Sequence, residues 1–343
     1  MLRSTHTPPS AWKGNALPES EWITELPQPL RKELAESAQR LHAEGRSWDQ
    51  TTRESFPLQH AAPAMADLQA RLEGGRGMVL LKHFSSAESE LDVMRLQLWG
   101  LGCHLGFPEP QDATGCLLHD VKDTGQSLDT ANVRAYQTNL PLSFHNDGAD
   151  AFLLLCHRQA RSGGVSALVS AGTVFNAILD QRPDLAEVLQ QPFYFDARGQ
   201  ELAGQPPYQE VPIFCFYKEH LNILYKREYI ERAQRFPDVP RLSPLQQEAL
   251  DLLDQTCDEL ALRFRMESGD LLIANNYDTL HARSAFESAD PSEKGSRHML
   301  RLWLTLPKGR SLPPIYAQTR EFHHSYRRRA GLLNSKAAVP EAN

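Results

Sequence analysis

The sequence predicts a mainly β protein with flanking helices, an α+β chain whose centre is a β-sandwich or jelly roll. Three observations carry this expectation. From about residue 133 the chain becomes a series of short apolar runs rich in β-branched and aromatic residues. Turn signals such as Ser162-Gly163-Gly164 and Ser268-Gly269-Asp270 separate those runs. Helix-period segments are confined to the N-terminal hundred residues and to two inserts in the β-rich part.

Each element follows from local pattern. Residues 1–20 are rich in Pro, Ser, Thr and Gly and are expected to be loosely ordered apart from Trp12. Residues 28–43 place Leu30, Leu34 and Leu41 among good helix formers, which reads as an amphipathic helix. Residues 64–73 predict a second helix, and about 87–103 a third. Between them, Met78 to Leu81 is a short buried strand after a Gly-rich turn. The expected strands of the second part are 152–156, 165–169, 211–217, 221–225, 271–274 and 299–306. One helical insert spans 173–190. The other starts at Ser243-Pro244, where Ser caps, Pro fits the first turn and Gln246 completes a capping box. It runs on through Leu250, Leu253 and Leu260. No internal repeat is visible.

Bulk properties exclude several classes. The chain has 343 residues, is 41% hydrophobic and 23% charged, and carries a net charge of −7. That is enough to bury a sizeable core, and no long block of like charge suggests a nucleic-acid tail. No apolar stretch reaches the length of a membrane span, and the first fifteen residues lack a signal-peptide core. Five scattered cysteines without a Cys-x-x-Cys pair predict reduced thiols and a cytoplasmic location. The expected partner is therefore a small-molecule substrate, not nucleic acid or membrane; the oligomeric state, homo-oligomer included, is left open.

The chemistry-bearing pattern is Phe144-His145-Asn146-Asp147, joined later by His281 and Arg297. His145 and Asp147 share one side of an extended strand. Two imidazoles and one carboxylate hold ferrous iron on one face and leave positions open for oxygen and a bidentate acid. A zinc hydrolase can use the same three ligands, and a jelly-roll binding protein can retain them without catalysis.

A longer ordered set of motifs narrows these choices. Gly163-Gly164-Val165-Ser166 follows the metal motif, then the run 268–276 ending in Asn275-Asn276, then His281-Ala282-Arg283, then Arg297-His298-Met299-Leu300-Arg301-Leu302-Trp303. Over roughly residues 75–310 the chain resembles the taurine dioxygenase-like, clavaminate synthase-like family of iron(II)/2-oxoglutarate-dependent oxygenases. The resemblance implies a double-stranded β-helix (jelly roll) with N-terminal helices and a helical insert. It implies one jelly-roll domain over 21–315, with 316–343 a C-terminal helix or tail.

The same resemblance implies iron ligation by His145, Asp147 and His281, with 2-oxoglutarate and O2 as co-substrates. Arg297 would take the distal carboxylate of 2-oxoglutarate, a group that suits a planar bidentate donor, helped by the Ser166 hydroxyl. The family more often has Thr at that position. The expected reaction hydroxylates an unactivated C–H bond and releases succinate and CO2; some relatives desaturate or close rings instead. Asp147 argues against halogenation, because related halogenases lack that carboxylate. Arg301 shares strand parity with Arg297 and is a candidate for an anionic or amino-acid-like substrate, for bracing the co-substrate, or for an ion pair with a buried acid. Tyr136, Asn139 and Asn276 are further candidate substrate contacts, and Arg283 a weaker one. Turn formation and packing are equally ordinary roles for these residues.

Overall fold

The computed structural model describes residues 5–126, 135–287 and 296–333. In chain order the first strands are β1 (Ile23–Thr24), β2 (Met78–Leu81), β3 (Phe107–Pro108) and β4 (Leu118–Lys122). Then come β5 (Leu142–His145), β6 (Ala151–Arg158), β7 (Ser166–Ser170), β8 (Pro192–Asp196) and β9 (Tyr208–Pro212). The rest are β10 (Phe214–Tyr217), β11 (His220–Ile223), β12 (Leu262–Phe264), β13 (Leu271–Asn275), β14 (Thr279–Arg283) and β15 (His298–Thr305). The helices are α1 (Glu19–Trp22), α2 (Gln28–Ala43), α3 (Ala61–Glu73), α4 (Leu91–Leu105), α5 (Ala171–Gln181), α6 (Pro183–Val188), α7 (Arg227–Ala233), α8 (Pro244–Leu260) and α9 (His323–Arg329).

Two sheets form the jelly roll. The larger runs β1-β2-β13-β6-β15-β3, with β4 also paired to β15; the smaller runs β12-β7-β14-β5. Side-chain alternation along the large sheet separates two environments. Leu153, Leu155, Leu300, Leu302 and Leu304 face one way and pack with Leu30, Leu34 and Leu41 of α2 and with Met94, Leu98 and Trp99 of α4. Phe152, Cys156, Met299 and Trp303 face the other way, toward Leu168 of the small sheet. Arg301 shares that inner parity, so a charged side chain is directed between the sheets. On the outer side of the small sheet, Val169 and Leu280 pack with Phe175 and Ile178 of α5 and Leu250 and Leu253 of α8.

The predicted α8 start holds in detail: Ser243 Oγ accepts from the Gln246 amide at 3.1 Å, and Gln246 Oε1 accepts from the Ser243 amide at 3.0 Å. Other expectations need correction. The insert expected over 173–190 is two helices, because Pro183 forces Arg182 out of helical backbone geometry (φ −144°, ψ 78°). The strand expected over 211–217 is the end of β9 and the whole of β10, separated at Ile213. Residues 334–343 of the predicted C-terminal segment lie outside the described residues.

Where it is described, the N-terminal stretch packs against the rest of the fold. Trp12 is buried, its indole N–H donates to the Arg76 carbonyl at 2.8 Å, and its own carbonyl accepts from Thr173 Oγ1 at 2.8 Å. Ser170 Oγ donates to the Ser10 carbonyl at 2.6 Å. Gly14 sits so close to the Ala261–Leu262 backbone that a Cβ would lie 2.2 Å from the Leu262 nitrogen. These contacts tie the segment across β7, α5 and β12. Trp12→Ala should therefore cost about 3–5 kcal/mol in urea unfolding, the usual range for removing a buried Trp; a loss below about 1 kcal/mol would mean the segment adds little to the fold.

Candidate active site

Two paired strands and the turn after one of them bring His145, Asp147 and His281 together. Antiparallel pairing of β14 with β5 puts His281 directly opposite His145. Their ring centroids are 4.2 Å apart, and Phe152 lies against His281 at 4.4 Å. Asp147 follows His145 by two residues, with its Oδ2 3.8 Å from His281 Nε2. One ligand atom from each of His145, Asp147 and His281 falls within 4.8 Å of the others, a spacing that suits a metal ion.

The turn carrying Asp147 is pinned by two buried asparagines. Asn146 donates through Nδ2 to the Ile223 and Asn276 carbonyls, both at 2.9 Å, and accepts from the Tyr225 amide at 2.9 Å. The Asn276 side chain accepts from the Asp147 amide at 3.2 Å and donates to the Gly148 carbonyl at 2.7 Å. His145 is oriented by its Nδ1, 2.8 Å from the Ser143 carbonyl; this leaves Nε2 for the cavity.

The protonation states suit ligation. Burial pulls both imidazoles below their ordinary range, His281 the further. Burial alone would raise the Asp147 carboxyl, but the Arg301 guanidinium holds it well below the usual carboxylate range. Neutral imidazoles and an ionised carboxylate are the ligand forms a divalent metal needs.

These residues open onto a cavity of about 350 Å³ that also reaches Tyr136, Ser166, Arg283, Arg297, Arg301 and Trp303. That volume accommodates a small organic molecule. Arg297 is 2% exposed; its Nε and one terminal nitrogen have no hydrogen-bond partner among the described residues. Burial lowers its pKa only to about 10, so it stays a cation. Gly164 lets it in: a Cβ there would lie 3.3 Å from Arg297 Cδ and Nε, and its φ of +65° already favours glycine. A buried cation with unused donors fits one end of a dicarboxylate.

Arg301 pairs with the Asp147 carboxylate. One terminal nitrogen reaches both Asp147 oxygens at 3.0 and 3.1 Å, and Nε donates to Gln111 Oε1 at 2.7 Å. Its guanidinium lies 5.0 Å over the Tyr136 ring and 5.2 Å over Trp303. Arg283 is buried, donates to the carbonyls of Thr138 and Leu140 and stacks on Phe286. Two expected substrate contacts lie elsewhere. Asn276 is fully buried outside the cavity lining, with its amide used on the backbone of the metal turn. Asn139 is exposed and also outside the lining; its carbonyl accepts from the Phe286 amide. The sequence reading missed Gln111, Lys226 and Arg320, which line the cavity without belonging to any motif. The one pointer to Lys226 is topological: it forms a β-bridge with His145.

A family model described as taurine catabolism dioxygenase TauD, TfdA family, matches residues 39–303. The chain belongs to this family. It is an iron(II)- and 2-oxoglutarate-dependent dioxygenase using O2, which removes the zinc-hydrolase and non-catalytic readings. FR-33289 synthase of Streptomyces rubellomurinus is 30% identical over 324 residues, covering 91% of this chain and 94% of that protein. Among solved structures, asparagine oxygenase with Fe(II), 2S,3S-3-hydroxyasparagine and succinate superposes with a TM-score of 0.62 at 19% identity, covering 83% of this chain and 94% of its own. The non-heme iron oxygenase OrfP with Fe and alpha-ketoglutaric acid gives 0.61 at 15%, covering 92% and 98%. These structures share the jelly-roll fold of this member of the family. Among the described residues no helix is long and apolar enough to cross a membrane.

Because Asn276 holds the turn that carries Asp147 and lies outside the cavity lining, Asn276→Ala should weaken cobalt(II) binding about 10- to 100-fold by anaerobic titration. An unchanged affinity would show that the turn keeps its shape without that amide.

Proposed function

We propose that this dioxygenase hydroxylates an unactivated C–H bond of a small, anionic, amino-acid-like substrate, with release of succinate and CO2. The observation that carries the reading is the shared cavity: the His145–Asp147–His281 set at one place on its wall and the buried, underused Arg297 cation at another. Iron bound there with 2-oxoglutarate and O2 supplies the oxidising chemistry. The chain's own residues do the positioning. His145, Asp147 and His281 hold the metal, and Arg297, with the Ser166 hydroxyl also on the cavity lining, receives the distal carboxylate of 2-oxoglutarate. Arg301 fixes the Asp147 carboxylate and, stacked between Tyr136 and Trp303, offers its remaining edge to substrate. Phe152 and Trp303 make the wall beside His281 and Arg301 apolar, which restricts water near the reacting carbon.

The amino-acid-like substrate rests on relatives. Asparagine oxygenase holds a hydroxyasparagine, and OrfP is described with (3S)-hydroxy-L-Arg. The synthase name of the 30% identical relative favours a biosynthetic setting. All five cysteines are free thiols, in keeping with a cytoplasmic enzyme.

Asp147→Ala should abolish substrate-coupled succinate release; activity like the unaltered enzyme would mean the ligand set is misassigned. Arg297→Ala should raise the apparent KM for 2-oxoglutarate at least about tenfold, or ~1.4 kcal/mol, and an unchanged value would move the anchoring role to Arg301 or Arg283. Mass spectrometry of the product should show one added oxygen atom; loss of two hydrogens would point to desaturation or ring formation on the same site.

A further inference from the structure

The cavity has a second cationic wall that neither the metal set nor the 2-oxoglutarate anchor uses. Lys226 enters it from just before α7 and is only 8% exposed. Its ammonium donates to Glu321 Oε1 at 2.8 Å. Arg320, also on the wall, reaches the same oxygen at 3.3 Å, and another of its nitrogens meets the Gln111 carbonyl at 3.4 Å. Glu321 is 4% exposed and does not line the cavity; its second oxygen accepts from Gln209 at 2.6 Å. Burial would raise the Glu321 carboxyl, yet Lys226 and Arg320 hold it at about 2. One carboxylate thus stands behind two cations, and the wall keeps a surplus positive charge.

Neighbouring acids on the lining have hydrogen-bond partners of their own. Asp112, on the same lining, is engaged by Thr114 at 2.6 and 2.9 Å and by His119 at 3.1 Å. Asp147 is matched by Arg301. Glu228 and Glu231 pair with Arg198 and Arg227. The cluster is also tied to the metal turn at both ends. Lys226 bridges His145 through the backbone, and the Glu321 carbonyl accepts from the Ala149 amide at 2.8 Å. A desolvated ammonium has three donors, and a buried cation in surplus next to a cavity calls for an anion.

We infer that Lys226 and Arg320, levelled by Glu321, form the subsite that binds an oxyanion group of the primary substrate, separate from Arg297 and Arg301. This rests on the cavity being the substrate site, as proposed above. The subsite selects substrates carrying a carboxylate or a tetrahedral oxyanion near the carbon that reacts.

The test is calorimetric titration of sulfate and of acetate into the full chain, both with and without anaerobic iron(II) and 2-oxoglutarate. The unaltered protein should bind at least one of the two anions, and the preferred one identifies the group. Lys226→Met and Arg320→Met each remove one cation and should weaken that binding at least fivefold. Glu321→Gln frees both cations and should leave binding as tight or tighter. A merely structural cluster would instead respond alike to all three changes, and that result overturns the inference, as does anion binding indifferent to Lys226→Met and Arg320→Met. If Lys226→Met does not fold, Arg320→Met and Glu321→Gln still give opposite signs. Measured alongside, 2-oxoglutarate should bind every variant normally. Its failure to bind the unaltered protein would sink the hydroxylase reading, while the anion titration without co-substrate would still decide the subsite.

Discussion

One strand register governs the site: His281 opposite His145 in the antiparallel pair of β14 and β5. Side chains alternate every residue along a strand, so a slip of one position would turn one imidazole away from the cavity. The register is fixed from both sides. β14 is also paired along its whole length with β7, and the turn into it carries Asn276, whose side chain grips the backbone from Asp147 to Ala149. Asn146 closes the other flank by bonding to both Ile223 and Tyr225. The turn carrying Asp147 therefore cannot move without breaking buried hydrogen bonds to two separate segments, Ile223–Tyr225 and Asn276, each costly to leave unmade.

The second constraint is electrostatic. The interior of the jelly roll holds Asp147, Arg297 and Arg301 at 8% exposure or less. Buried ions are poor stabilisers, since desolvation offsets much of their attraction. Their placement here matches the roles proposed for them. Arg301 keeps Asp147 ionised, and the surrounding burial keeps the imidazoles neutral. Arg297 stays charged with donors unspent. The hydrophobic clusters on the outer faces of both sheets supply the stability that this polar interior does not.

Much of this was legible in the sequence where the signal is local. Leucine spacing marked α2, the Ser243–Gln246 box marked α8, and apolar runs marked β6, β13 and β15, because each reflects burial of one face. That His145, Asp147 and His281 would come together, with Arg297 facing the same cavity, was expected from the order of the motifs along the chain. What was missed depends on three-dimensional neighbours. Asn276 reads as a turn residue either way, and only the fold shows that its amide faces the Asp147 backbone. The loose N-terminus was expected from composition, while Trp12 and Gly14 are held by distant strands and helices that composition does not report. Lys226 and Arg320 sit in unremarkable charged stretches and acquire meaning only through Glu321 and the bridge to His145.

The most direct measurement is a crystal structure of the protein prepared anaerobically with iron(II) and 2-oxoglutarate. The account predicts one iron bound by His145, Asp147 and His281, with 2-oxoglutarate chelating it and extending its distal carboxylate to Arg297. Iron held by a different set of side chains, or the distal carboxylate seated on Arg301 with Arg297 unoccupied, would contradict it.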